Sequence, residues 1–164
     1  VLYEESMFDG QKVSKSRIIT SVDYSMVSME AFEIYAANHD IHVMDFVLKL
    51  DAYSYYMMNL LDYLTGNTDR HWGNWGFLVD NRTNQPVRLF DLMDLNQTFL
   101  AYDTPDGANC MTTGNRKISQ REAAVEAVKI IGLNQRNEIK DEWFKGREEE
   151  REMFWCRFGI LKEQ

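Results

Sequence analysis

Thr65-Gly66-Asn67-Thr68-Asp69-Arg70-His71-Trp72-Gly73-Asn74 lies between an apolar run of helical spacing and an apolar run that reads as a strand. The stretch gathers a carboxylate, a guanidinium, an imidazole and several amide and hydroxyl groups. Buried polar groups each need a partner, so a segment this polar makes a poor core. Held between two apolar elements, it makes a loop whose position both elements fix. We read it as the candidate site, led by Asp69 and Asn74, a carboxylate and an amide with four residues between them.

Upstream, Tyr53, Tyr56, Met57, Leu60, Leu61 and Leu64 recur at spacings of three and four. That spacing predicts a helix over 51–64 with a wide apolar stripe. Asp51 is suited to cap its N-terminus, and Gly66 or Asn67 to supply the left-handed residue that closes it. Burial of this helix would then set where Asp69 points. Downstream, 75–79 and 87–90 read as the two strands of a β-hairpin, joined by the turn-rich stretch 80–86. The hairpin runs out into Asp91-Leu92-Met93-Asp94, two acids within four positions.

The flanks are read more coarsely. Residues 1–8 suggest a short strand, Asp9-Gly10 a turn, and Lys12 to Thr20 a polar connector. Helical spacing runs from Ser25 to Ala37, and a further apolar stretch covers 43–50. Residues 101–118 read as loop. Ser119 with Glu122 forms a capping box opening a helix to Ile131, with Gly132 as its stop. From Asn137 to Gln164 the pattern predicts helices broken at Gly146, packed through Trp143, Phe144, Met153, Phe154 and Phe158. The fold class expected is α+β, mainly α with one small β-hairpin, in a single domain over residues 1–164.

The chain has 164 residues, 45% of them hydrophobic and 27% charged, an ordinary globular composition. With 18 basic and 26 acidic residues the formal net charge is −8. Such a balance argues against nucleic-acid binding, which needs clustered cations to neutralise phosphates. Cys110 and Cys156 stand far apart, so neither a disulfide framework nor a cysteine metal site is expected, and a reducing cytoplasm is the expected compartment. No apolar run approaches the roughly 18 residues that would cross a bilayer, so no membrane association is expected.

Phosphoryl transfer asks little covalent chemistry of a protein. It asks for a carboxylate near the attacking hydroxyl and hard oxygen ligands for magnesium on the phosphates. Asp69, Asn74 and one acid after the hairpin supply such a set, and the hairpin is a means of returning the chain to the loop. The spacing from Asp69 to Asn74 also matches that of the catalytic loop of protein kinases.

The run Gly66-Asn67-Thr68-Asp69-Arg70-His71-Trp72-Gly73-Asn74, then a hairpin, then Met93-Asp94-Leu95-Asn96-Gln97-Thr98, resembles the C-terminal lobe of HipA-like serine/threonine kinases. These are toxin kinases and their bacterial and phage relatives, and the likeness covers about residues 45–100. The resemblance implies a protein-kinase-like C-terminal lobe in which Asp69 is the catalytic aspartate and Asn74 a magnesium ligand. Asp94 would be the second metal ligand, with Leu95-Asn96 in place of Phe-Gly, and Asp91 is the alternative for that role. ATP and magnesium in the full-length protein, a protein substrate and an antitoxin-like partner are further implications.

The chain departs from the family in one respect. Asp9-Gly10 is isolated rather than part of a glycine-rich phosphate loop, and Lys12 and Lys15 fall in the predicted connector. The expectation is a C-terminal lobe from a longer protein, its N-terminal lobe absent and the fragment inactive alone. Two other classes remain open: a non-catalytic regulatory module keeping the loop as scaffold, and a metal-dependent phosphohydrolase using Asp69, His71, Asp91 and Asp94. His71 is read as holding Asp69 within the loop, Arg70 as a loop ion-pair partner, and Trp72 and Trp75 as packing residues. Thr104, Thr112 and Thr113 occupy a loop placed like an activation segment, where phosphorylation is the expectation to test.

Overall fold

Turn chemistry opens the chain. In the computed structural model, which describes residues 3–100, 104–133 and 139–164, β1 (Tyr3–Phe8) and β2 (Gln11–Ser16) pair antiparallel from Tyr3 opposite Ser16 to Phe8 opposite Gln11. Asp9 (φ 49°) and Gly10 (φ 75°) both take left-handed backbone, the geometry that lets a two-residue turn match strand twist. The stretch expected to be a polar connector is thus in part a strand, and Lys12 and Lys15 are strand lysines. Its residues show no apolar alternation because both faces of the ribbon are largely exposed. Residues 1–2, 101–103 and 134–138, including the predicted helix start at Asn137, lie outside the described residues.

The helix expected from Ser25 is corrected in the same way. Tyr24–Ser28 form β3, and the helix α1 covers only Met29–Ala37. Ser28 ends the strand and caps the helix, its hydroxyl accepting from the Ala31 N–H. A helix pattern of Met26 and Met29 is indistinguishable locally from a strand running into a helix. What decides is pairing: β3 lies antiparallel to β4 (Gly76–Asp80), with Ser28 opposite Gly76.

Gly76 is required at that crossing. A Cβ there would lie 2.1 Å from the Val27 carbonyl oxygen, backbone against backbone. Gly76→Ala is expected to cost about 3 kcal/mol, the upper range for overpacking, measured by urea denaturation; a loss under about 0.5 kcal/mol would mean the strands separate freely there.

The expected hairpin is present, β4 turning into β5 (Gln85–Leu89) with a bulge at Leu78/Val79, but it supplies the central and one edge strand of a three-stranded β3-β4-β5 sheet rather than standing alone. Against this sheet runs α2 (Val43–Thr65), longer than the predicted 51–64. It contains a break at Asp51 (φ −155°, ψ 65°), so the apolar stretch 43–50 is itself helical. As expected, Asp51 caps the second part: its Oδ1 accepts from Ser54 N, while Oδ2 accepts from Leu89 N of the sheet. Gly66 ends the helix with φ 62°, as its position predicts.

The predicted apolar stripe is partly misplaced. Tyr53 (63%) and Met57 (37%) are exposed, whereas Tyr55, Met58 and Tyr63 are buried with Tyr56, Leu60 and Leu64. A helix covered on several sides, here by the sheet and two later helices, buries more than one stripe, and periodicity alone cannot say which residues lie on the second side.

α3 (Gln120–Ile131) has the full capping box: Ser119 accepts from Glu122 N and the Glu122 carboxylate accepts from Ser119 N. Ser119→Ala should cost about 1 kcal/mol, read as a lower unfolding midpoint; an unchanged midpoint would show that the cap is idle. A single 3-10 turn (Asp141–Phe144) leads through Gly146 (φ 74°) into α4 (Glu148–Lys162). Phe144 and Phe154 pack as expected, while Trp143 is 60% exposed. The described residues therefore form the expected α+β fold, with four α-helices, and its β part is larger than the one hairpin expected: two small antiparallel sheets. Among them no helix is long and apolar enough to cross a membrane.

Candidate functional site

The polar loop is organised by a residue that its own sequence does not contain. Asp62, in the last turn of α2, is 4% exposed and faces Arg70, 2% exposed, across the loop. The guanidinium grips the carboxylate with both arms, Nε donating to Oδ2 at 2.9 Å and Nη2 to Oδ1 at 3.0 Å. Asn67 Nδ2 donates to the same Oδ1 at 2.9 Å, and Asn67 Oδ1 accepts from the Asp69 N–H. A buried carboxylate must have its lone pairs occupied, and here the donors that occupy them are the loop itself. Gln120 of α3 closes the arrangement from outside by donating to the Asn67 carbonyl.

The remaining nitrogen of Arg70 has a second task. Nη1 donates to the Asn74 carbonyl at 2.9 Å and to the Met93 carbonyl at 2.7 Å. One guanidinium thus ties the end of the loop to the chain leaving the hairpin, immediately before Asp94. The expected ion-pair role of Arg70 is found, with Asp62 as its partner. Asp62 is what sequence reading missed; the available signal was a carboxylate set among Leu61, Tyr63 and Leu64 in an otherwise apolar helix turn.

Asp69 and Asn74 come together. Asn74 Nδ2 donates to the Asp69 carbonyl at 2.8 Å and lies 3.5 Å from its Oδ2. With the amide nitrogen committed to Asp69, the Asn74 Oδ1 is turned the other way along the fork. The Asp69 carboxylate keeps 42% of its side-chain surface exposed. His71 Nδ1 accepts from the Gly73 N–H at 3.0 Å, so in the neutral ring the proton sits on Nε2, the atom 3.8 Å from Asp69 Oδ1. That separation is too long for a hydrogen bond, so His71 braces the loop and faces Asp69 without holding it.

Two more contacts fix the loop. The carbonyls of Trp72 and Trp75 accept from Glu30 N and Met29 N, satisfying free amides in the first turn of α1. The Trp72 indole N–H donates to the Met111 carbonyl at 2.9 Å, and Trp75 is buried. Both tryptophans are therefore packing and anchoring residues.

The two candidate acids after the hairpin differ in setting. Asp91 is bound by Arg88, Nη1 to Oδ1 at 2.6 Å. Burial opposes its ionisation, but the Arg88 guanidinium outweighs this and holds the carboxyl below the usual carboxylate range. Asp94 follows the Met93 carbonyl that Arg70 grips and has left-handed backbone (φ 53°). Among the described residues no group of three or more His, Cys, Asp and Glu side chains is gathered to hold a metal, so Asp69, His71, Asp91 and Asp94 do not form one ligand cluster. An ion here would find at most one or two carboxylates and would complete its shell with amide oxygens, water and a ligand's own oxygens, the habit of magnesium on phosphates.

The phosphorylation expectation fails for two of its threonines. Thr112 and Thr113 are 1% and 4% exposed, with hydroxyls donating to Asn59 and to the Cys110 and Arg116 carbonyls; Thr104 is exposed. Lys15, on a strand that the sequence reading took for a connector, lines a cleft of about 700 Å³ with Arg17, Arg88, Asp91 and Glu4; Asp69, Asn74 and Asp94 do not line it. This cleft opens between the β1–β2 ribbon and the end of β5. The chain matches no protein-family model, no curated protein and no solved structure.

Proposed function

We propose that this chain is a HipA-like, protein-kinase-like lobe of an ATP- and magnesium-dependent serine/threonine protein kinase, acting in the bacterial cytoplasm on a protein substrate. The observation that carries the reading is the single Arg70 nitrogen bound to both the Asn74 and Met93 carbonyls. It ties the backbone at Asn74 to that at Met93, which supports a site shared by Asp69, Asn74 and Asp94 of the kind phosphoryl transfer needs.

In this reading Asp69, partly exposed at the mouth of the loop, orients the substrate hydroxyl and accepts its proton. Asn74 Oδ1 and the Asp94 carboxylate hold the metal, with Asp91 secondary because Arg88 occupies it. The oxygen-rich, incomplete donor set suits a magnesium ion that neutralises phosphate charge while taking its other ligands from the nucleotide and water. Lys15 and Arg17, at the wall of the cleft that Asp91 also lines, are placed to meet nucleotide phosphates. Both are exposed, so the chain alone should bind ATP weakly and be inactive without further structure over that cleft. An antitoxin-like protein is the partner class this reading brings with it.

The test uses manganese as a paramagnetic stand-in, added with ATP to the labelled chain. Amide signals of 69–74 and 93–95 should broaden first, and Asn74→Ala or Asp94→Ala should each weaken the effect at least tenfold. Broadening confined to the acidic run Glu148–Glu150, with the loop untouched, would refute the metal site.

A further inference from the structure

The segment after the hairpin begins and ends on left-handed backbone, and at Phe99 that backbone is strained. Asp94 (φ 53°) and Phe99 (φ 56°) both sit in the left-handed region, which an aromatic residue adopts only when its surroundings compel it. Between them the turn is closed at Leu95, whose carbonyl accepts from both the amide and the hydroxyl of Thr98.

Two independent grips hold Phe99. Its N–H donates to the Thr65 carbonyl at 2.8 Å, one residue before the glycine that ends α2 and begins the polar loop. Its ring meets Phe144 edge to face, centroids 6.2 Å apart at 81°, and the Arg147 guanidinium lies 5.3 Å from the ring centre. Phe144 is buried, but Arg147 keeps 49% of its side chain exposed and is further steadied by Glu150 at 3.2 Å. The grip on the ring therefore comes from the junction before α4 and is reachable from solvent.

We propose that residues 94–99 form a spring-loaded latch, held shut by Arg147 and Phe144 on the Phe99 ring, through which the C-terminal helix sets the position of Asp94. Strain at Phe99 means that the closed form persists only while the ring is clasped. Freed, Phe99 relaxes to negative φ, the Thr65 bond breaks, and the Asp94 end keeps the hold of Arg70 on Met93. Whatever binds over Arg147 and displaces its guanidinium opens the latch, and whatever buries that guanidinium tightens it. The latch stands on the backbone and ring contacts, whether or not Asp94 ligates a metal.

Amide hydrogen exchange of the whole chain, followed by NMR at Thr98 and Phe99, tests it. Arg147→Gln removes the cation from an exposed position and should speed exchange at both amides about tenfold, leaving the α3 amides of 123–128 unchanged. Phe99→Ala should speed Thr98 and residue 99 further, while Phe99→Gly, which tolerates the left-handed backbone, should be slower than Phe99→Ala. Unchanged exchange in Arg147→Gln, or an equal rise in α3, would overturn the latch; so would Phe99→Gly exchanging as fast as Phe99→Ala.

Discussion

Arg70→Ala is expected to destabilise the protein by about 3–5 kcal/mol, because it leaves the Asp62 carboxylate buried without its countercharge. For a domain of this size that corresponds to a fall in Tm of roughly 10 °C. The loss should exceed that from any exposed ion pair here, such as Arg151 with Asp141, whose attraction solvent screens. Arg70→Lys should recover little: an ammonium cannot span both carboxylate oxygens and also reach the Asn74 and Met93 carbonyls. Calorimetry on the two variants decides the matter. If Arg70→Lys melts within a degree or two of the parent, the forked geometry is not what orders the loop.

Asp69→Asn has the opposite profile. The side chain is partly exposed and its carboxylate makes no close ion pair, His71 being 3.8 Å away, so stability should change by less than about 0.5 kcal/mol. Under the proposed function the full-length kinase should lose about 10²–10⁴ in the rate of phosphate transfer to a serine or threonine hydroxyl, the scale of a lost acid–base group. Radiolabelled ATP with the parent protein, and an unfolding curve for the same variant, give both numbers. A variant that unfolds early would assign Asp69 to structure, and one that transfers phosphate at the parent rate would remove it from catalysis. Arg70→Ala and Asp69→Asn thus separate what holds the loop from what the loop does.

How much of this was readable beforehand depends on the range of the interaction. Gly66 after α2, Asp51 at its break, the Ser119–Glu122 box and the β4–β5 hairpin were each legible, since each is set by a few adjacent residues. The pairing of Asp69 with Asn74 was legible too, because a five-residue separation inside one loop leaves few arrangements. Lys15 and β3 were not. A strand with two exposed faces has no apolar period, and a strand that passes into a helix at Ser28 shares its methionines with both patterns.

The order of elements around the polar loop, its flanking caps and its chemistry are properties of the sequence alone, since they follow from spacing along one chain. Which side of α2 is covered, that Asp62 answers Arg70, and that Met93 is drawn to Asn74 were decided only by the tertiary structure. Those contacts depend on where separate elements meet in space, and a guanidinium selects its acceptors from whatever burial brings within its reach.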